Sequence, residues 1–223
     1  MWFDALLRAL PESGRVLEVG AGPGFLAEYA AAHRPDLAWT RLDLTPTPWN
    51  ELAGDAQQLP LRSQALQAVV AVDVIHHLAR PARFFSEVAR VVTAEGRLCV
   101  VEPWLSAFSH PIYRFLHEEG YRPGLDPWRP FPDSATKDTF QGDSGIVTHL
   151  VERTSDSQWQ ALGLRRPSVR LYAGFAYLLS GGFQKVCLLP RSLLRAALRV
   201  DRLAQPLAPW LALRALVTWE RAR

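Results

Sequence analysis

The sequence predicts an α/β fold, a seven-stranded and mostly parallel sheet with helices on both faces, and two observations carry that expectation. Short apolar runs rich in β-branched residues alternate along the chain with stretches of helical apolar spacing, the pattern of a sheet covered by crossover helices. A glycine-rich turn, Gly20-Ala21-Gly22-Pro23-Gly24, comes directly after the first of those runs.

Taken in order, residues 2–10 have helical apolar spacing and stop at Pro11. Arg15 to Val19 reads as a short buried strand, and the alanine-rich stretch 25–33 as a helix. A second strand covers 38–43 and ends in Asp43, and a third ends near Gly54-Asp55-Ala56. Val69 to Val74 is a fully buried fourth strand. Pro81 opens a helix through Val92, and Glu95-Gly96 turns the chain into a fifth strand, Arg97 to Glu102. The regularity then ends: residues 104–150, proline-rich and weakly periodic, read as a lid or substrate segment. Helix returns near 152–162, with strands expected at 167–172 and 215–219 and a helical insertion of about 174–213 between them. One domain spanning 1–223 results, with a ligand-binding half over 1–103, the lid over 104–150, and a C-terminal part over 151–223.

The composition is that of a globular protein, 48% hydrophobic and 21% charged, with a mild net charge of +3 and no basic block of the kind that binds nucleic acid. Cys99 and Cys187 suggest neither a disulfide framework nor a metal site, the first residues lack a secretion pattern, and no apolar run approaches the ~20 residues of a spanning helix. A cytoplasmic location is expected.

Gly20, Gly22 and Gly24 permit a tight turn and close approach of a ligand to the backbone at a strand end. A dinucleotide loop needs its third glycine one residue later, where Phe25 stands, so a nucleoside without a pyrophosphate is favoured over NAD. Asp43 stands where a carboxylate can accept both hydroxyls of a ribose, or else simply start the turn at Leu44-Thr45-Pro46. Asp55 stands where it can accept from an adenine amino group. These loops share the carboxyl ends of adjacent strands, where open α/β sheets bind ligands.

Glu18 to Gly24, Asp43, Asp55-Ala56 with Leu59-Pro60, Val72 to Leu78, Arg90-Val91-Val92 with Gly96, and Glu102-Pro103 together resemble the successive motifs of class I methyltransferases. Within that superfamily they are most similar to the ubiquinone/menaquinone-type group. The resemblance covers about residues 14–103 and implies a Rossmann-like fold with S-adenosylmethionine as cofactor. It implies that Glu18 and the glycines Gly20, Gly22 and Gly24 hold the methionine portion, Asp43 the ribose and Asp55-Ala56 the adenine, with Ala21, Phe25 and Leu44 also among the cofactor-binding residues. The stretch from Asp73 to His77 would lie beside the sulfonium. Thr93-Ala94-Glu95-Gly96 departs from the family's usual Pro-Gly-Gly at a turn outside the crevice. Downstream, Glu102-Pro103-Trp104, Ser109 to Tyr113, His117-Glu118 and Ser180-Gly181-Gly182-Phe183 are similar to a bacterial methyltransferase subgroup, a resemblance that fixes no substrate.

An oxygen or carbon acceptor must lose a proton on methylation, so a base near neutral pKa would help, and His76 or His117 is the expected base. Asp143 reads as a turn residue. No metal is expected, because His76 and His77 are adjacent and no carboxylate stands at helical spacing after them. Aromatic residues crowd the segments outside the cofactor half, among them Trp104, Phe108, Tyr113, Trp128, Tyr172 and Tyr177, and favour a small apolar or aromatic acceptor, or a lipid-linked one, over nucleic acid. In the insertion, Arg191, Arg195, Arg199 and Arg202 recur as a basic helical stripe, with Leu193, Ala196, Ala197, Val200 and Leu203 away from it. Such a helix is either a flap packed on the sheet, a dimer interface or, with Trp210, a peripheral contact to the inner face of the membrane. Two rivals to an active methyltransferase remain: a catalytically silent cofactor-binding partner subunit and an NAD-dependent oxidoreductase.

Overall fold

In the computed structural model, which describes residues 2–131, 138, 140–181 and 187–222, seven strands form one sheet in the order β3-β2-β1-β4-β5-β7-β6. The strands are β1 (Gly14–Val19), β2 (Leu37–Asp43), β3 (Leu52–Ala53), β4 (Leu66–Val72), β5 (Val92–Pro103), β6 (Ser168–Tyr172) and β7 (Arg214–Glu220). The first five run parallel, and β7 lies antiparallel to both β5 and β6.

Central strands are apolar on both faces because each face is covered. Val16, Ala68, Val70, Cys99 and Val101 point to the side of α1 (Trp2–Ala9) and α2 (Phe25–His33), where they meet Leu6, Leu26 and Ala30. Leu17, Val69, Ala71, Leu98 and Val100 point to the opposite side, toward Phe84, Phe85 and Val88 of α3 (Pro81–Val91). That second core is closed by a ring cluster in which Phe85, Trp128, Trp159 and Trp219 meet edge-on or tilted, with centroids 5.1–5.8 Å apart. Burial also raises the Cys99 thiol to about 12, which makes it an inert core residue.

Several boundaries differ from the sequence expectation. The fourth strand spans Leu66–Val72 and leaves Asp73 and Val74 outside it, half-buried because the chain turns there beside a cleft. The fifth strand begins at Val92, since Leu66 pairs with Val92 before a bulge and the chain has no need of a turn at Glu95-Gly96 to enter the sheet. The helix expected near 152–162 is two, α5 (Ile146–Arg153) and α6 (Asp156–Ala161). Ser155 breaks them apart: its hydroxyl accepts from the Gln158 amide while the Gln158 side chain accepts from Ser155 N–H, a reciprocal cap that starts a new helix.

The lid contains α4 (Ser109–Phe115) and meets the chain just past β4 and β5, where Asp143 N donates to His76 O and Leu105 N to the Thr148 hydroxyl. The insertion holds α7 (Phe175–Leu179), α8 (Leu194–Ala204) and α9 (Ala208–Leu211). Asp201 of α8 is buried and accepts from the amides of Phe175 and Ala176, which ties α8 to the start of α7. Arg195, Arg199 and Arg202 are exposed, as the basic stripe requires, whereas the side chain of Arg191 and residues Gly182 and Phe183 lie outside the described residues. Of the apolar residues expected away from that stripe, only Ala197 is buried; Leu193, Ala196, Val200 and Leu203 face solvent. Among the described residues no helix is long and apolar enough to cross a membrane.

Candidate functional site

Strand order reverses between β1 and β4, and the crevice at their carboxyl ends is where a doubly wound sheet binds its ligand. The glycine loop fills that position. Gly20, Gly22 and Gly24 have φ of 65°, 49° and 78°, left-handed conformations that side chains resist. A Cβ on Gly20 would strike Val74 at 2.5 Å, whereas one on Gly22 would meet nothing within 4 Å. Asp43 anchors the loop: its Oδ2 accepts from Gly22 N at 2.9 Å and its Oδ1 from Thr45 N at 3.0 Å.

A cleft of about 450 Å³ opens beside this loop, within the size range of small-molecule sites. Gly20, Asp43, Leu44, Asp55, Ala56, Asp73 and His77 all line it, so the structure brings together most of the residues expected to bind a nucleoside. Glu18, Ala21, Gly22 and Gly24 are not among its lining residues, although a side chain on Gly22 would project into open space. Phe25 does not line it either; it is 69% exposed at the start of α2. Asp55 is shaped by its own turn, accepting from Gln57 N at 2.8 Å.

Asp73 stands just past β4 with φ of 57°, a left-handed conformation that Asp tolerates better than most residues. Its Oδ1 lies 2.6 Å from Nη2 of Arg214, a guanidinium that is 1% exposed at the start of β7. The contact is an ion pair without hydrogen-bond alignment, since Arg214 Nε and Nη2 have no aligned acceptor among the described residues. The rings of Trp2 and Tyr177 cover the cation at 4.7 and 5.0 Å.

Glu18 is a buried acid behind the glycine loop, and its Oε2 has no hydrogen-bond partner among the described residues. Burial drives its carboxyl up to about 7 against the pull of Arg41. Between its ordinary 4.5 and about 7, the folded protein keeps a proton that the unfolded chain has released. Stability therefore falls as pH rises through that window and levels off above it, by about 3 kcal/mol in all. Urea unfolding from pH 4 to 8 should show this slope, and Glu18→Gln should flatten it; an equal slope in the variant would exclude Glu18 as its source.

A second cavity of about 870 Å³ adjoins the first. His77 and Phe140 line both, while Arg114, His117, Glu118, Glu119, Tyr121 and Arg122 of the lid wall the second. Its lining is mostly polar. The aromatic residues expected to wall an acceptor pocket lie largely elsewhere: Trp104, Tyr113 and Tyr172 are buried, and Trp128 belongs to the ring cluster.

His76 is buried between two carboxylates. Its Nδ1 meets Glu102 Oε2 at 2.5 Å and its Nε2 meets Glu119 Oε2 at 3.0 Å, while Glu119 Oε1 lies 3.4 Å from His77 Nε2. Glu102 is fixed in turn, its Oε1 accepting from Val74 N at 2.9 Å and Ile75 N at 2.6 Å. Burial disfavours the His76 imidazolium, but Glu102 and then Glu119 outweigh it and hold the pKa above the ordinary value. His117 lines the cavity, and burial pushes its pKa down. Its Nδ1 accepts from Glu119 N at 3.3 Å.

Neither Glu102 nor Glu119 stands out in the sequence as a site residue. Glu102 leaves a signal, a charge ending an otherwise apolar strand, Leu98-Cys99-Val100-Val101. Glu119 leaves none; the short motif His117-Glu118 stops one residue short of it. Asp143 is more than a turn residue. It is 1% exposed, its amide donates to His76 O at 3.1 Å, and its carboxylate accepts from Gly145 N at 3.0 Å and from Arg122 Nε at 3.1 Å. The lid is thereby pinned to the His76 loop.

Residues 17–100 match the family model of a methyltransferase domain. The strand order, with an antiparallel seventh strand inserted between the fifth and sixth, is that of the Rossmann-like class I methyltransferase fold. An S-adenosylmethionine-dependent methyltransferase from Archaeoglobus fulgidus is similar at 13% identity and a TM-score of 0.57, over 99% of this chain and 93% of that one. One from Mesorhizobium loti is similar at 18% identity and 0.52, over 98% and 96%. A Haemonchus contortus phosphoethanolamine N-methyltransferase, in complex with phosphomonomethylethanolamine and S-adenosylhomocysteine, is similar at 12% identity and 0.56, over 100% of this chain and 52% of that one. At these identities the likeness establishes the fold. No curated protein matches the chain in sequence.

Proposed function

We propose that this protein is an S-adenosylmethionine-dependent methyltransferase of the ubiquinone/menaquinone-type group, acting on an oxygen or carbon of a lipid-linked acceptor with a polar reacting end. One observation carries the reading: His77 is shared by the nucleoside-sized cleft and the lid-walled cavity, so donor and acceptor sites meet at the end of β4. The residues present fit the cofactor. The open space at Gly22, the orphaned Glu18 oxygen and the three carboxylates Asp43, Asp55 and Asp73 on the cleft wall suit a cationic nucleoside. Glu18 and the glycine loop would hold its methionine portion, Asp43 the ribose, and Asp55 the adenine. When bound, the cofactor supplies an activated methyl group on a sulfonium. The chain's own task is then to align the acceptor and exclude water. Tyr121 and Phe140 on the cavity wall give it apolar contacts, while Arg114 and Arg122 offer donors to its polar end.

The lipid-linked choice rests on α8 and the chain from there to α9. Leu193, Val200, Leu203, Leu207 and Trp210 form an exposed apolar band, with Leu203 80% and Trp210 61% exposed. Arg195, Arg199 and Arg202 run along its flank with no acidic partner among the described residues, and Asp201 is turned inward. An apolar band edged by unpaired arginines fits an anionic lipid surface and supports a peripheral membrane contact.

Calorimetry with S-adenosylmethionine and NAD, and then incubation with labelled methyl donor and a lipid or aqueous cell extract, tests the activity. Binding of the methyl donor alone and label in the lipid fraction are expected. Binding without S-adenosylhomocysteine production from either extract would favour the silent partner subunit. The membrane contact is tested by co-sedimentation: binding to anionic vesicles, weakened by salt and lost in Leu203→Asp, is expected. Failure to bind any vesicle would remove the case for a lipid acceptor while leaving the methyl-donor site intact.

A further inference from the structure

We propose that His76, His77 and Glu119 form a site for one divalent transition-metal ion, placed where the donor cleft meets the lid-walled cavity. The three residues come from two segments that the fold alone brings together, the 3-10 turn Ile75–His77 and the lid after α4. Their ligand atoms all lie within 4.8 Å of one another. Two ligands on a common ion at about 2.0–2.2 Å stand about 3.0–3.6 Å apart. The Glu119 carboxylate meets the two imidazoles at 3.0 and 3.4 Å, using a different oxygen for each.

Those distances also suit direct hydrogen bonds, so the decision falls to the surroundings. Glu102 holds His76 Nδ1 and is itself fixed by two backbone amides, which orients the ring and directs Nε2 toward Glu119. A carboxylate behind a ligating histidine is the arrangement that sets tautomer and ring direction at metal centres. His76 is buried, whereas His77 and Glu119 line the cavity, so the remaining coordination positions open toward the acceptor. Three protein ligands with an open side define a site able to bind substrate rather than a closed structural one. Two imidazoles and a carboxylate select first-row transition ions such as Zn²⁺, Mn²⁺ or Fe²⁺ over Mg²⁺ or Ca²⁺. An ion held there would polarise an acceptor oxygen, a task that rests on the methyltransferase reading; the binding itself does not.

The full chain, stripped with chelator, is titrated calorimetrically with Zn²⁺, Mn²⁺ and Co²⁺ alone, and the Co²⁺ form is examined by visible absorption. One ion per chain is expected, with Co²⁺ bands that report nitrogen and oxygen ligation. Glu119→Gln and His77→Asn should each lose that stoichiometric site. Glu102→Gln should weaken it about 10–100-fold through the second ligand sphere, and His33→Gln, on an exposed helix end, should bind like the parent. Circular dichroism confirms that each variant is folded. Absence of stoichiometric binding of every ion, or parental affinity in folded Glu119→Gln and His77→Asn, overturns the proposal. Because no cofactor is present, the outcome is independent of S-adenosylmethionine binding, which a separate titration of the same preparation measures.

Discussion

Asp73→Ala is expected to cost about 3–5 kcal/mol of folding stability, because it strands a buried charge. Arg214 is 1% exposed, and Asp73 is its ion-pair partner among the described residues. The Trp2 and Tyr177 rings ease the cation's burial but supply no negative charge. The penalty lies in the uncompensated guanidinium, so removing both charges should recover much of it. Asp73→Ala combined with Arg214→Met replaces the pair by a flexible apolar side chain of similar length, and the double variant should be more stable than Asp73→Ala alone. Urea unfolding of the parent, both single variants and the double variant measures the coupling. A loss below about 1 kcal/mol in Asp73→Ala, the range of an exposed ion pair, would mean that water reaches Arg214.

Gly22→Val should abolish measurable S-adenosylmethionine binding, a loss of several kcal/mol, with the fold retained. The backbone at Gly22 has φ of 49°, so any side chain there costs roughly 1–2 kcal/mol of stability. The added Cβ meets no protein atom within 4 Å, so the rest of the loss must come from the ligand it displaces. Gly120→Ala supplies the comparison: its φ is 68°, its Cβ would likewise meet nothing within 4 Å, and it lies in the lid. It should carry similar strain and keep the cofactor. Parental affinity in Gly22→Val, read by calorimetry, would show that the glycine loop does not face the nucleoside.

The parts of this molecule legible in the sequence are those governed by local rules. Buried strands announce themselves by apolar runs such as Val69 to Val72, and a nucleoside-sized loop by Gly20, Gly22 and Gly24 after a strand. The cleft beside that loop is a consequence of these, since the carboxyl ends of adjacent parallel strands are neighbours by topology. The lid chemistry is not legible. Glu119 reaches His76 from 43 residues away, and Arg214 reaches Asp73 across 141, separations over which no periodicity operates. The metal question turns on the same point: local spacing offers the histidine pair no carboxylate, and the lid delivers one. On α8 the sequence shows the basic stripe but not which remaining face turns inward. Asp201, the acidic residue of the helix, faces the protein because the α7 amides need an acceptor there.

That inward aspartate changes what the insertion is. Asp201 holds the first amides of α7, α7 carries Tyr177, Tyr177 roofs Arg214, and Arg214 faces Asp73, which lines the cleft at the glycine loop. The segment between β6 and β7 is thus a continuous train of contacts from the outer surface to the cleft of about 450 Å³. A shortened version with a plain hairpin between those strands would admit water to the guanidinium and unroof it. Engineering that treats the insertion as a removable appendage would therefore uncover a buried guanidinium beside the cleft.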